Sequence, residues 1–198
     1  MKSDKSDLYS FVFRGLLAEE ALDKTERRSK FQINEESLQE LASRLSIDLL
    51  GDEFTIRASR MSQVYTAIAA FENSLREFVS NKLQEAHPEK DWWSDPEVIP
   101  SSIKSKAEKR QAEEDKIRWH SPRGDDSIYY SDFGDMISII VKNWDLFEPH
   151  CNDQEWVKFH LKTLERSRNI IMHSGELGRV DIERVGASIR DWLTQVGA

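Results

Sequence analysis

Cysteine is almost missing from this chain: Cys151 stands alone among 198 residues. No disulfide can form within it, and a reducing compartment suits such a sequence. Long apolar runs are missing as well. No stretch approaches the roughly 18 residues that a membrane-spanning helix needs. The stretch Met1 to Asp7 is polar and mixed in charge, unlike a signal peptide. A cytoplasmic protein with no membrane partner is therefore expected. Glycine and proline are sparse, 8 and 5 residues, and they build neither a glycine-rich phosphate loop nor a dinucleotide fingerprint. An excess of basic charge is lacking too. Lys and Arg number 28 against 36 Asp and Glu, a net charge of −8. This argues against a broad basic nucleic-acid surface, but it leaves room for a local anion pocket, which needs only a few cations.

No period-two alternation of useful length and no internal repeat occurs. What the chain does contain is helical periodicity. The hydrophobic fraction of 38% beside a charged fraction of 32% describes a folded core under a heavily charged surface. Leu8, Phe11, Val12, Leu16 and Ala18 predict a first helix over 8–30. Asn34 is placed to cap a second, with Glu35 and Glu36 in its first turn, where carboxylates suit the helix dipole. Leu38, Leu41, Ala42, Leu45 and Leu49 form its apolar face. Gly51-Asp52 closes that unit, and Phe54 to Ile56 is at most a short extended piece. Residues 1–57 thus read as a helical extension, and 58–198 as the main domain.

In the main domain, Tyr65, Ile68, Glu72, Leu75 and Val79 step by three and four, as one helix face does. A parallel ridge runs through Val64, Phe71 and Phe78. His87-Pro88 ends this helix. Trp92 and Trp93 follow in a loop, where paired indoles plug the end of a bundle more often than they stack on bases. Residues 101–118 alternate Lys and Arg with Glu and Asp and predict a solvated helix. Ile128 to Phe147, with Phe133, Met136, Ile137, Ile140, Val141 and Trp144, predicts a core helix or a helix pair stopped by Pro149. Asn152 or Asp153 caps the next helix, which carries Trp156, Phe159, Leu161 and Leu164. After Gly175 and Gly178, a last helix starts at Asp181 and carries Ile182, Val185, Ile189, Trp192, Leu193 and Val196. The fold expected is all-α, an antiparallel bundle of four to five helices with an N-terminal helical layer.

Two charges interrupt these apolar faces. The ladder Val157, Leu161, Leu164, Arg168, Ile171 holds one arginine, and the ladder through Ile68 and Leu75 holds Glu72. Each is costly inside an apolar stripe unless it is paired, so Arg168 and Glu72 are natural partners for one buried ion pair. Arg76, one turn after Glu72, is placed to add a second cation or to pair locally with it, the plain alternative being an ordinary surface pair. Asn169 follows Arg168 directly. His173 comes one turn later, at a helix end marked by Gly175. His150, Cys151, Asp153 and His160 are metal-capable types, but their spacing matches no zinc pattern. No metal and no cofactor are expected.

An all-α domain with Arg168-Asn169-x-x-x-His173 at the end of a core helix resembles the HEPN (higher eukaryotes and prokaryotes nucleotide-binding) superfamily. Its hallmark is an Arg, four to six residues, then a His. Tyr65 to Val79 with Glu72 and Arg76 resembles the first helix of that fold. Trp92-Trp93, the segment from Tyr129-Tyr130 to Phe147 and the last helix are similar to its bacterial branch. The resemblance covers about residues 58–198. It implies a metal-independent endoribonuclease that acts as a homodimer, with the motifs of both copies lining one cleft. His173 would then move protons at the ribose 2′-hydroxyl or the leaving 5′-oxygen. Arg168 would hold the scissile phosphate, Asn169 would orient phosphate or His173, and Glu72, with Arg76 beside it, would fix Arg168. The implied setting is a bacterial toxin–antitoxin, stress or phage-defence system, with RNA as substrate and an antitoxin or other defence protein as partner. The alternative the resemblance carries is a non-catalytic module for dimerisation, nucleotide binding or partner binding.

Overall fold

The computed structural model describes residues 35–89, 91–117 and 119–197. The chain divides into two compact units, Met1–Asp52 and Glu53–Ala198. The helix expected over 8–30 and the Asn34 cap lie outside the described residues. Of the first unit, the described part is helix α1 (Glu35–Arg44) and a 3-10 turn at Ile47–Leu49. Leu38, Leu41 and Leu45, expected as an inward face, are all exposed.

The second unit is a helical bundle, and no strand occurs among the described residues. It opens on α2 (Asp52–Ala86), about 50 Å long at 1.5 Å per residue. The short extended piece expected at 54–56 is instead the first part of this helix, because one helical pattern continues without a breaker from Asp52 to Ala86. Met61, Val64, Ile68, Phe71, Glu72, Leu75, Val79 and Leu83 line its buried side. Tyr65 points outward, 37% exposed. The proline after His87 disfavours helical backbone at the residue before it, so the helix stops there.

Trp92 and Trp93 pack edge to face at 5.8 Å against the core, the bundle-plug role expected of them. The Trp92 indole N–H donates to Gln84 Oε1 at 3.1 Å. Helix α3 (Ser101–Glu114) is not simply solvated. It buries Ile103 and Ala107, and its Lys106 reaches Asp132 at 2.6 Å and Asp135 at 2.9 Å. Arg110 reaches Asp132 at 3.3 Å. Sequence alone shows the acids scattered along α3, not the carboxylates that meet it from elsewhere.

The segment expected as one core helix or a pair resolves into a 3-10 turn at Ser127–Tyr130, α4 (Phe133–Lys142) and the single turn α5 (Trp144–Phe147). Asp132 caps α4: its side chain accepts from the Asp135 N–H, and the Asp135 carboxylate accepts from the Asp132 N–H. Such a reciprocal box satisfies two donors that a helix start otherwise leaves unpaired. Asn143 ends α4 and ties it to the loop before α3, donating to the Val98 and Ile139 carbonyls.

Helix α6 (Gln154–Met172) starts at the Asp153 cap, which accepts from the Trp156 N–H at 2.9 Å. Val157, Leu161 and Leu164 are fully buried, whereas Phe159 is 64% exposed and lies off the inner face. Helix α7 (Arg179–Val196) begins two residues earlier than Asp181. Both α4 and α7 pack on α6. Aromatic contacts tie α2 into the same core: Phe71 meets Phe133 of α4 and Trp192 of α7, and Phe78 meets Phe147 of α5.

Candidate functional site

The site is built at the C-terminal end of α6, and the way that helix stops decides what is exposed. His173 is the C-cap. Ser174 follows in the left-handed region, φ 60°. The Ser174 N–H donates to the Ile171 carbonyl at 2.9 Å and the Gly175 N–H to the Ile170 carbonyl at 2.8 Å. These two bonds are a Schellman stop. The usual left-handed glycine is replaced here by a serine, a conformation that costs about 1–2 kcal/mol for a residue with a side chain. Gly175 serves another purpose. A Cβ there would lie 2.6 Å from Ile170 Cγ2 and 2.8 Å from the Ile170 carbonyl oxygen, so the chain can fold back this tightly only without one. As a result the His173 side chain leaves the helix end exposed.

Arg168 and Glu72 meet as expected, although only Glu72 is fully buried and the Arg168 side chain is 29% exposed. Arg168 Nε lies 3.1 Å from Glu72 Oε2, although the Nε–H is not aligned for a hydrogen bond. The surface reading of Glu72–Arg76 is corrected. The Glu72 side chain is 6% exposed and that of Arg76 12%, and Arg76 Nη2 donates to Glu72 Oε1 in a very short contact. The same Nη2 donates to the Ser131 carbonyl at 2.9 Å, and Nη1 donates to Asn73 Oδ1. Glu72 is thus a bridge between two arginines, with one oxygen for each. Arg76 in turn fastens α2 to the chain just before α4. The sequence does not reveal this, because Ser131 contributes a backbone carbonyl and no side-chain signal.

Asn169 and His173 lie on another side of α6. They line an open cavity of about 470 Å³ together with Lys162, Glu165, Arg166 and Ile170. Arg168 does not line it. The structure therefore brings Asn169 and His173 together in the cavity and brings Arg168 of α6 together with Glu72 and Arg76 of α2 outside it. Sequence reasoning does not single out Lys162 and Arg166, although the signal is present: 162, 166, 169 and 173 step by four, three and four, which is one helical face.

Glu165 faces the α4 start: Gly134 built with a Cβ would find Glu165 Oε1 at 3.5 Å. Burial pushes its carboxyl above the ordinary range, and the Asp132 charge adds to that. Asp132 goes the other way. Burial alone would raise it, but the Lys106 ammonium, the Asp135 N–H and Arg110 together hold it well below the ordinary carboxylate range. No group of three or more His, Cys, Asp or Glu among the described residues is arranged to hold a metal ion.

The Swt1-like HEPN family model matches residues 66–197. The chain belongs to the Swt1-like HEPN family. The match runs from within α2 to the end of α7, so the HEPN domain contains Glu72, Arg76, Arg168, Asn169 and His173. No curated protein and no solved structure matches the chain. No helix among the described residues is long and apolar enough to cross a membrane.

Proposed function

We propose that this HEPN domain is a metal-independent endoribonuclease. The observation that carries the reading is the exposed His173 at the end of α6, one turn from Asn169 in an open cavity, with Arg168 anchored through Glu72 immediately before Asn169. An imidazole changes charge between about pH 5 and 8 and is suited to moving protons at neutral pH. His173 takes the proton of a ribose 2′-hydroxyl or supplies one to the leaving 5′-oxygen. The 2′-oxygen attacks the adjacent phosphorus, the bond from phosphorus to the 5′-oxygen breaks, and the products are a 2′,3′-cyclic phosphate and a 5′-hydroxyl. Asn169 orients His173 or a phosphate oxygen. Arg168 keeps both Nη groups clear of hydrogen bonds to other described residues, and their planar fork suits a phosphate bearing developing charge. Because Arg168 lies off the cavity of its own chain, a complete site is formed by two copies, with the motifs facing one another across a two-fold axis. A homodimer is also the commonest soluble assembly. The setting that suits such an activity is a bacterial toxin–antitoxin, stress or defence system, with an antitoxin or another defence protein as partner.

Purified protein incubated with total RNA in EDTA tests this. Wild type should cleave and leave cyclic-phosphate ends, His173→Ala should not, and DNA should be untouched. Light scattering over a broad concentration range should report a dimer. The separation of Arg168 from the cavity also favours a second reading, a non-catalytic module for binding or dimerisation. Protein inert towards every RNA, alone and with the products of neighbouring genes, would decide for that module.

A further inference from the structure

The outer face of α6 carries two cations that the catalytic proposal does not use. Lys162 and Arg166 are exposed and line the same cavity as Asn169 and His173. Neither makes an ion pair with another described residue. Several cations around them are held instead. Lys158, one turn earlier on α6, is held by Glu155 at 2.7 Å. On α7, Arg179 is paired with Glu183 and Arg184 with Asp181, while Arg190 makes no ion pair with a described residue. Arg60 of α2 is paired with Glu176. In a chain of net charge −8, two adjacent cations left without a carboxylate are the start of an anion site. Glu165 lines the same cavity, but it makes no ion pair with either cation, and its carboxylate lies close to Gly134 at the start of α4.

We propose that Lys162 and Arg166 are a phosphate rail that holds the backbone of single-stranded RNA running along α6 away from His173. The inference rests on the ribonuclease reading and names its substrate as an extended strand rather than a mononucleotide or dinucleotide. The stripe from Lys162 to His173 runs over eleven residue steps, about 16 Å at 1.5 Å per residue. A strand laid along it places successive phosphates beside Lys162 and Arg166 while another phosphate sits at His173. The contacts are to phosphate only, so they position the strand and carry no base preference. Arg166 offers a fork of donors and Lys162 a point charge.

The test measures binding of a fluorescein-labelled single-stranded oligouridylate to the full chain carrying His173→Ala, by anisotropy over a series of salt concentrations. Each phosphate contact to a single strand contributes about 0.7 to the slope of log affinity against log salt. Adding Lys162→Ala and Arg166→Ala should make that slope shallower by about 1.4 and weaken low-salt binding by about tenfold or more. The charge-conserving pair Lys162→Arg and Arg166→Lys should keep the slope, which a merely structural role would not require. Lys158→Ala should leave it unchanged. A slope that stays the same in the alanine pair, or the absence of any binding, overturns the rail. Failure of the catalytic reading looks different: wild type then cleaves no RNA, while the slope still judges whether the two cations hold a strand.

Discussion

Two sides of one helix, α6, use the same kinds of residue in opposite ways. On the inner side, Arg168 and Glu72 continue into Arg76 and the Ser131 carbonyl, so each charge answers another. On the outer side, Lys162, Arg166, Asn169 and His173 stand in an open cavity with no charge partner among the described residues. The difference teaches where cost and use separate. A charge taken out of water must be paired at once, and pairing fixes its geometry. A charge left in water needs no partner, and it stays available for a ligand.

The strongest way to break this comparison is at His173. Its loss should abolish RNA cleavage, at least the 10²–10⁴-fold that general acid–base catalysis contributes, while the melting temperature stays within about 2 °C, as befits an exposed cap residue. Activity retained in His173→Ala would make the outer side irrelevant to chemistry. On the inner side, Glu72→Ala should cost about 3–5 kcal/mol in chemical denaturation, because it strips the partner from two arginines at once. Arg76→Ala should cost less, about 1.5–3 kcal/mol, the range for hydrogen bonds to charged groups, since Glu72 retains Arg168. Equal and small losses would show that the bridge is not buried in solution.

Arg168→Lys sharpens the contrast between anchoring and chemistry. A lysine keeps the charge opposite Glu72 but loses the fork. Cleavage should fall strongly while stability changes by about 1 kcal/mol or less. A smaller effect belongs to the α3–α4 clasp. Asp132 is held below the ordinary carboxylate value of 3.8 against the opposing push of burial. A depressed folded value means that its stabilisation is present above the ordinary value and lost as pH falls through the folded one. Asp132→Asn should therefore flatten the acid limb of the stability–pH curve and leave its neutral part lower. Least of all, Lys158→Ala should change stability by no more than about 0.5 kcal/mol, as exposed ion pairs do.

Much of the fold is legible in the sequence. The stepping of Ile68, Leu75 and Val79, and of Val157, Leu161 and Leu164, is a local consequence of 3.6 residues per turn, and those positions are buried. The ion pair of Glu72 with Arg168 is legible too, because a charge inside an apolar stripe demands an opposite one. Other features are not. Phe159 sits beside the inner ladder in sequence but faces water, since helical phase near an edge is decided by the neighbouring helix. The 54–56 segment reads as extended because three residues carry too little periodicity to reveal the long helix around them.

The sequence by itself determined the helices, the family and the two charges that had to meet, because periodicity and desolvation cost act on any chain that buries these faces. Only the tertiary structure decided which carboxylates the basic residues would find. Lys106 and Arg110 reach Asp132 and Asp135 across helices, Arg76 finds a backbone carbonyl far away in sequence, and Lys162 and Arg166 find no charge partner among the described residues. Pairing depends on distance in space, which falls steeply in effect beyond a few ångströms in salt water. The phase of the turn at Ser174 and Gly175 likewise placed His173 in the open, because two backbone hydrogen bonds close there and a Cβ on Gly175 would not fit.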